Sequence, residues 1–469
     1  MNTLSAKSIS ALPAAIGLRR QLGLASATAA VAGECIAVGI FLTPAGMAKS
    51  LGSPFWLLVV WIVVGILTVC GALCYGELAA RFPRDGGVYV YLSETCGRRV
   101  AFLYGWMCLL VLDPGLTAAL AMGLASYVAY IFPSSILVIK FIGIGVIWAL
   151  CVLNMLSIRV SAGLLRWTTW LKLAVLGLLV LWALILRLGS WSNFVPFMAQ
   201  HPGSLPLGPA IGAAMVGAFF SFGGWWDVSK IAGEVRDPGR NLPRAMLLGV
   251  LLVTAIYILV SVAFLYVVPL GTVTSDQTFV AQAGAILFGR AGGVIFAAIV
   301  VVCVLSSLAA LIMSAPRVYY AMAQDGLFLR AVARTHPRFG TPANAIFIQG
   351  LVASVLVSVG SFQQIISYFI FVAVVFLTLT GAGLFIVRTR DQGTAPAFLT
   401  PAYPIPLAIF LILMSLLLAL LALHSPREAL LGSVVVLAGL PVYGAFQRKA
   451  TMTQALDTAL SSSETFKKL

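Results

Sequence analysis

Twelve apolar runs of about 20 to 30 residues, separated by short polar breaks, constrain this chain more than any other feature. They fall approximately at 24–48, 54–80, 100–131, 135–157, 161–188, 208–234, 244–269, 292–322, 344–360, 364–388, 403–424 and 427–446. A helix needs about 20 consecutive apolar residues to cross the hydrocarbon core of a bilayer. A soluble core cannot absorb a chain that is 61% hydrophobic and 9% charged, with a mean hydropathy of +1.05. The expected fold class is an all-α integral membrane protein of twelve transmembrane helices, with the lipid bilayer as its first partner.

Charge sets the expected orientation. With both termini in the cytoplasm, 23 of the 29 Lys and Arg residues fall in inner segments, Lys49, Arg187, Arg290 and Arg427 lie outside, and Lys140 and Lys172 lie within spans. Inner loops of membrane proteins carry this excess, so the net charge of +15 needs no nucleic acid to explain it. Residues 1–20 carry Lys7, Arg19 and Arg20 without a short apolar core and cleavage site. The first span is therefore expected to act as its own insertion signal, with the cell (inner) membrane as destination. The seven cysteines and His201, His336 and His424 are scattered without ligand spacing, so neither a metal nor a cofactor is expected. With no HExxH, GxSxG or paired-carboxylate pattern, an enzyme is not expected either.

Small residues interrupt two spans in particular. Span 1 holds Gly33, Gly39, Pro44 and Gly46, and span 6 holds Gly212, Gly217, Gly223 and Gly224. Any one of these glycines could serve close helix packing. A pair of interrupted spans at positions 1 and 6 instead fits inverted repeats, in which broken helices offer backbone N–H and C=O groups to a midplane substrate.

Four segments carry a resemblance. "GECIAVGIFLTP" (Gly33 to Pro44), "YGELAARFPRDGGVYVYLSETCG" (Tyr75 to Gly97), "FFSFGGWWDVSKIAGEVRDPGRNLPRA" (Phe219 to Ala245) and "SAPRVYYAMAQDGLF" (Ser314 to Phe328) resemble motifs of the amino acid, polyamine and organocation transporters. Within that superfamily they are most similar to the bacterial amino acid permeases related to the L-type exchangers. The resemblance covers nearly the whole chain. It implies a LeuT-like fold of two inverted five-helix repeats (about 24–190 and 208–390) plus two extra helices (about 403–447). Together these form a transporter domain over 24–447, between cytoplasmic tails at 1–23 and 448–469. It also implies alternating access, with a small-molecule substrate held between Ala37, Val38 and Gly39 on one side and Phe220, Ser221, Phe222, Gly223 and Gly224 on the other. Phe220 matches the family's aromatic gate.

The family usually has Gly-Ser-Gly where this chain has Ala37-Val38-Gly39. Carboxylate recognition would then rest on backbone N–H groups alone, and a polyamine or other organic amine stands beside an amino acid as the substrate. A membrane sensor built on a transporter scaffold is the alternative of a different class.

Charges within spans need reasons, because each costs at least about 2.5 to 3.5 kcal/mol to insert. Lys172 resembles a fifth-helix lysine whose amine takes the place of sodium, facing Ser307 with Ser306 beside it, which implies sodium-independent transport. The other reading is a lysine snorkelling to the inner surface. Glu34, just before the span 1 break, is expected to bind a substrate amine, carry a proton, or pair structurally with a lysine such as Lys172. Asp113, before Pro114, is either a proton site or the satisfier of a kinked backbone. Asp227, Lys230 and Glu234 are spaced to pair along one helical face, as a gate or inner-end network. One of Trp225 and Trp226 is expected to line the pocket and the other to pack.

Overall fold

The computed structural model describes residues 22–446, except 38, 85, 157, 186, 273–278, 329–331, 333–342 and 391–395. Its helices are α1 (Leu24–Cys35), α2 (Gly39–Leu51), α3 (Pro54–Arg81), α4 (Val88–Thr95), α5 (Arg98–Met107), α6 (Asp113–Ile131), α7 (Ile136–Leu156) and α8 (Ile158–Ile185). They continue with α9 (Leu207–Phe222), α10 (Pro238–Val267), α11 (Phe279–Ser314), α12 (Pro316–Gln324), α13 (Ala343–Val359), α14 (Phe362–Arg390), α15 (Ile405–His424) and α16 (Pro426–Leu437). Among the described residues, β pairing is confined to one isolated bridge between Leu22 and Val235. In lipid every backbone polar group has to be satisfied within its own segment, which is why apolar runs of this length become helices.

Nine helical stretches among the described residues are long and apolar enough to cross a membrane, and a tenth is added if α1 and α2 count as one bent span. Two shorter apolar helices, Trp170–Ile185 and Ala343–Val359, accompany them. The run at 100–131 is continuous through α5, a π-helical turn at Cys108–Leu112, and α6. Burial separates centre from periphery: 89% of the core of that stretch is inside the protein, against 22% for Ile136–Met155. Helix α7 accordingly turns Ile136, Leu137 and Phe141 outward, as a lipid-facing helix would.

The principal packing pairs are α3 with α10, α6 with α11, α1 with α10 and α2 with α9. Contact between spans in lipid depends on close fit rather than on expelled water. Phe410 of α15 supplies one such fit, seated against Gly71 of α3 and Gly381 of α14, where an added Cβ would come within 2.8 and 2.6 Å of its ring.

Each end of the bundle is tied by polar contacts. At one end the segment between α8 and α9 lies over α2, α3 and α10. There His201 N donates to Gly52 O (2.7 Å), Ser190 N to Tyr266 O (2.9 Å) and Ser53 Oγ to Phe197 O (3.0 Å). At the other end Glu77, fully buried, accepts from Arg388 Nε (2.9 Å), Arg81 Nη2 (3.1 Å) and the Thr400 backbone N–H (2.8 Å). The Arg388 guanidinium also lies 3.9 Å from the Tyr403 ring centroid, in cation–π contact. On the same side Tyr89 of α4 donates to Asp325 Oδ2 (2.6 Å) and Arg98 Nη2 to Asp325 O (2.7 Å). Burial, and then the Asp325 carboxylate beside it, push the Tyr89 phenol above its ordinary range.

Candidate substrate site at two facing helix breaks

The first break begins where Ile36 leaves helical geometry (φ −75°, ψ 65°) and ends where α2 starts at Gly39, with a bend of 44° between the two helices. Ala37 lies in the break, and Val38 is outside the described residues. The second break follows Phe222. Gly223 is extended (φ −50°, ψ 145°), Gly224 has φ +102°, and the chain resumes as a 3₁₀ helix over Asp227–Glu234. A φ of that sign is the region that glycine tolerates and L side chains avoid.

The two breaks are pressed together. A Cβ on Gly39 would stand 2.4 Å from Ser221 Cα, and one on Gly224 would stand 3.0 Å from Glu34 Cβ. Close approach therefore requires glycine at both positions, and at Gly224 the backbone conformation requires it as well. Three side chains stitch the breaks. Thr43 Oγ1 and Ser221 Oγ are 2.6 Å apart, and each also reaches a carbonyl one turn back, Gly39 O (3.0 Å) and Gly217 O (2.9 Å). Tyr257 of α10, fully buried, places its hydroxyl 2.8 Å from both Cys35 O and Ser221 O. Its single proton is shared between terminal carbonyls of two interrupted helices, groups that lose helical partners at a helix end; Cys35 O also accepts the Ala37 N–H (2.7 Å). Tyr127 of α6 holds Phe41 O in the first turn of α2 (2.6 Å).

Aromatic side chains wall the site. Trp61, Phe222 and Tyr257 form a cluster with centroids 5.1 to 6.0 Å apart. Phe220 lies 6.1 Å from Phe369 of α14. Trp225 packs edge-on against Tyr75 (4.9 Å) and Trp226 stacks on Phe219 (6.3 Å); both are buried.

Lys172 is fully buried. Its Nζ donates to Gly33 O in α1 (3.3 Å) and to Ser307 Oγ in α11, and so joins three helices beside the first break. That geometry is an inward-pointing ammonium and not a snorkelling one. Ser306 donates to Cys303 O (2.9 Å) within α11. Glu34, partly buried in the last turn of α1, backs onto Gly224.

Asp113 stands apart from the breaks. Its carboxylate accepts from the Tyr319 hydroxyl; the sequence left open a proton site or the satisfier of a kinked backbone. The irregularity there is the π turn before Asp113, and Thr117 Oγ1 covers Asp113 O (2.7 Å). Lys230 pairs with Asp227 at 2.9 Å, as their spacing led one to expect, and is 1% exposed; the Glu234 side chain lies outside the described residues. Among the described residues no three His, Cys, Asp or Glu side chains converge as metal ligands.

Tyr257, Thr43, Tyr127 and Tyr319 were not singled out by the sequence. The available signal was a hydroxyl-bearing residue alone in an apolar run, as Tyr257 is within "AIYILV".

The family profile described as amino acid permease matches residues 22–446. The chain is 30% identical over 439 residues to the serine/threonine exchanger SteT of Bacillus subtilis (strain 168), covering 93% of this chain and 99% of that protein. It is likewise 30% identical over 446 residues to the b(0,+)-type amino acid transporter 1 of Homo sapiens, covering 92% and 89% of the two chains. Against the human large neutral amino acids transporter small subunit 2 it is 28% identical over 443 residues, covering 91% and 80%. A bundle of apolar helices with two interrupted spans locked face to face, and a profile match running almost from end to end, have one reading: the chain is a multi-pass membrane protein belonging to the amino acid permease family, a transporter and not an enzyme.

Proposed function

We propose that this permease exchanges amino acids across the cell membrane by alternating access without sodium, binding the substrate between the two helix breaks. The observation that carries the reading is the pairing of Gly39 with Ser221 and of Gly224 with Glu34. It brings the start of α2 and the ends of α1 and α9 to one place. A helix start favours a carboxylate and a helix end favours an ammonium, and an α-amino acid carries both. Ala37, Val38 and Gly39 would hold the carboxylate through backbone N–H groups. Phe220, Ser221, Phe222, Gly223 and Gly224 would complete the pocket, with Phe220 as its gate.

Twelve spans in two inverted repeats plus two helices are part of this proposal. Nine long apolar helices, one bent pair and two shorter apolar helices support that count. Both termini would be cytoplasmic, as the distribution of Lys and Arg favours. The fixed ammonium of Lys172, between Gly33 O and Ser307 Oγ, supports sodium independence, because it fills oxygen ligands that a sodium ion would need.

The experiment is counterflow in liposomes preloaded with single amino acids or with decarboxylated amines, in the absence of sodium. Serine and threonine come first, since the Bacillus relative is named for exchanging them. Saturable exchange of amino acids, and none of amines, is expected. Glu34 beside Gly224 favours a second reading, an organic amine as substrate. Exchange confined to amines, and weakened by Glu34→Gln, would put that reading in place of the first.

A further inference from the structure

Just beyond the second break, the Asp227–Lys230 pair of the 3₁₀ segment and Asp113 of α6 form a second polar centre inside the bundle. Asp113 and Lys230 are each 1% exposed, and the Asp227 side chain is 8% exposed. Lys230 Nζ and Asp227 Oδ1 are 2.9 Å apart, and neither has a further hydrogen-bond partner among the described residues. Both lie within electrostatic reach of Asp113. Among the described side chains, the other titratable groups facing the centre are the Tyr104 hydroxyl and Cys108 thiol from α5 and the π turn, the Tyr319 hydroxyl from α12, and the Cys35 thiol at the end of α1, which faces Asp227. None of these four compensates charge. Among the described side chains, two carboxylates against one ammonium leave one negative charge inside a membrane protein, where such a charge is costly.

The local geometry shows how the charge is removed. The Tyr319 hydroxyl lies between the Asp113 carboxylate and Cys108 O, the latter at 3.1 Å. Cys108 O belongs to the π turn, where it also accepts the Asp113 N–H. A tyrosine hydroxyl has one proton and can accept as well as donate. With Asp113 ionised, Tyr319 donates to the carboxylate. With Asp113 protonated, the acid donates to the Tyr319 oxygen and the phenol proton turns to Cys108 O. Both states are fully hydrogen-bonded, so one proton enters or leaves without orphaning a polar group. π turns recur at functional sites.

We infer that Asp113, switched through Tyr319 and held against the Asp227–Lys230 pair, is a proton-binding site. The step is the addition of one proton from the aqueous phase to an Asp113 carboxylate oxygen, with no other bond made or broken. Because Asp227 and Lys230 follow the Gly223–Gly224 break directly, the charge on Asp113 acts on the segment that has to move if the break flexes. That link to transport rests on the carrier reading above; proton binding does not.

The test is a pH-difference infrared spectrum of the purified full-length protein in lipid, read at the C=O stretch of a protonated carboxyl. A band that appears on acidification, is lost in Asp113→Asn and moves to higher frequency in Tyr319→Phe is expected, the shift reflecting the lost hydrogen-bond partner. A band unchanged in Asp113→Asn overturns the inference. If Asp113→Asn does not fold, Tyr319→Phe decides alone: a band at the parent's frequency overturns it. Counterflow over the same pH range is measured in parallel. Exchange without the band leaves the carrier and removes the proton site; the band without exchange keeps the proton site and removes the carrier.

Discussion

Single atoms decide much at the two breaks. A methyl at Gly39 would meet Ser221 Cα at 2.4 Å, which is backbone and cannot step aside. Gly39→Ala is expected to abolish counterflow while the protein still inserts, as judged by a monodisperse elution profile. Tyr257→Phe removes one hydroxyl from two buried carbonyls. Leaving a buried acceptor unpaired costs about 1 to 3 kcal/mol, so a lower thermal midpoint together with slower exchange is expected. Lys172→Met keeps the length of the stem and deletes the ammonium that bridges α1 and α11. Uptake should fall at least tenfold with insertion intact, and sodium should not be required before or after the change. A sodium requirement in the parent would end the assignment of Lys172.

At the scale of elements, the apolar runs made the helices legible and the glycines made the breaks legible, because both are local properties of the chain. Gly223 and Gly224 announce an interruption without any knowledge of what faces them. Tyr257 and Tyr319 were different. The partners of Tyr257 lie 222 and 36 residues away, and Tyr319 meets Asp113 across 206. Within a uniformly apolar run the helical period does not say which face meets which neighbour, so these pairings had no sequence signature. Lys230 was legible in part: its spacing of three from Asp227 announced the ion pair, whereas nothing local to the chain announced that the pair is buried. The tie between α3 and α14 yields a prediction at this scale. Glu77→Gln would leave Arg388 without its charge partner in a mostly enclosed setting. Breaking such a pair costs about 3 kcal/mol or more, and a visibly lower thermal midpoint is expected, whereas exposed Glu94→Gln should leave it unchanged.

For the whole molecule, the proposed orientation rests on charge alone, and it is testable without knowing the substrate. On a cysteine-free background, Arg84→Cys and Arg240→Cys are expected to react with an impermeant thiol reagent only when cells are opened. Labelling of Arg240→Cys in sealed cells would dismantle the proposed arrangement of twelve spans with cytoplasmic termini.

The Glu77 network also bears on time. A ribosome makes Glu77 long before its principal partners: Arg388 follows 311 residues later and the Thr400 N–H 323 residues later. Helix α3 must therefore be delivered to the bilayer while the group that will hold its carboxylate does not yet exist. Its own last turn supplies a stopgap, because Arg81 stands one turn on at 3.1 Å, present from the moment the helix forms. In the finished protein that contact is one among several. During synthesis it is the first charge partner on hand, and Arg81→Ala is expected to reduce the yield of inserted protein far more than it lowers the thermal midpoint of the molecules that complete assembly.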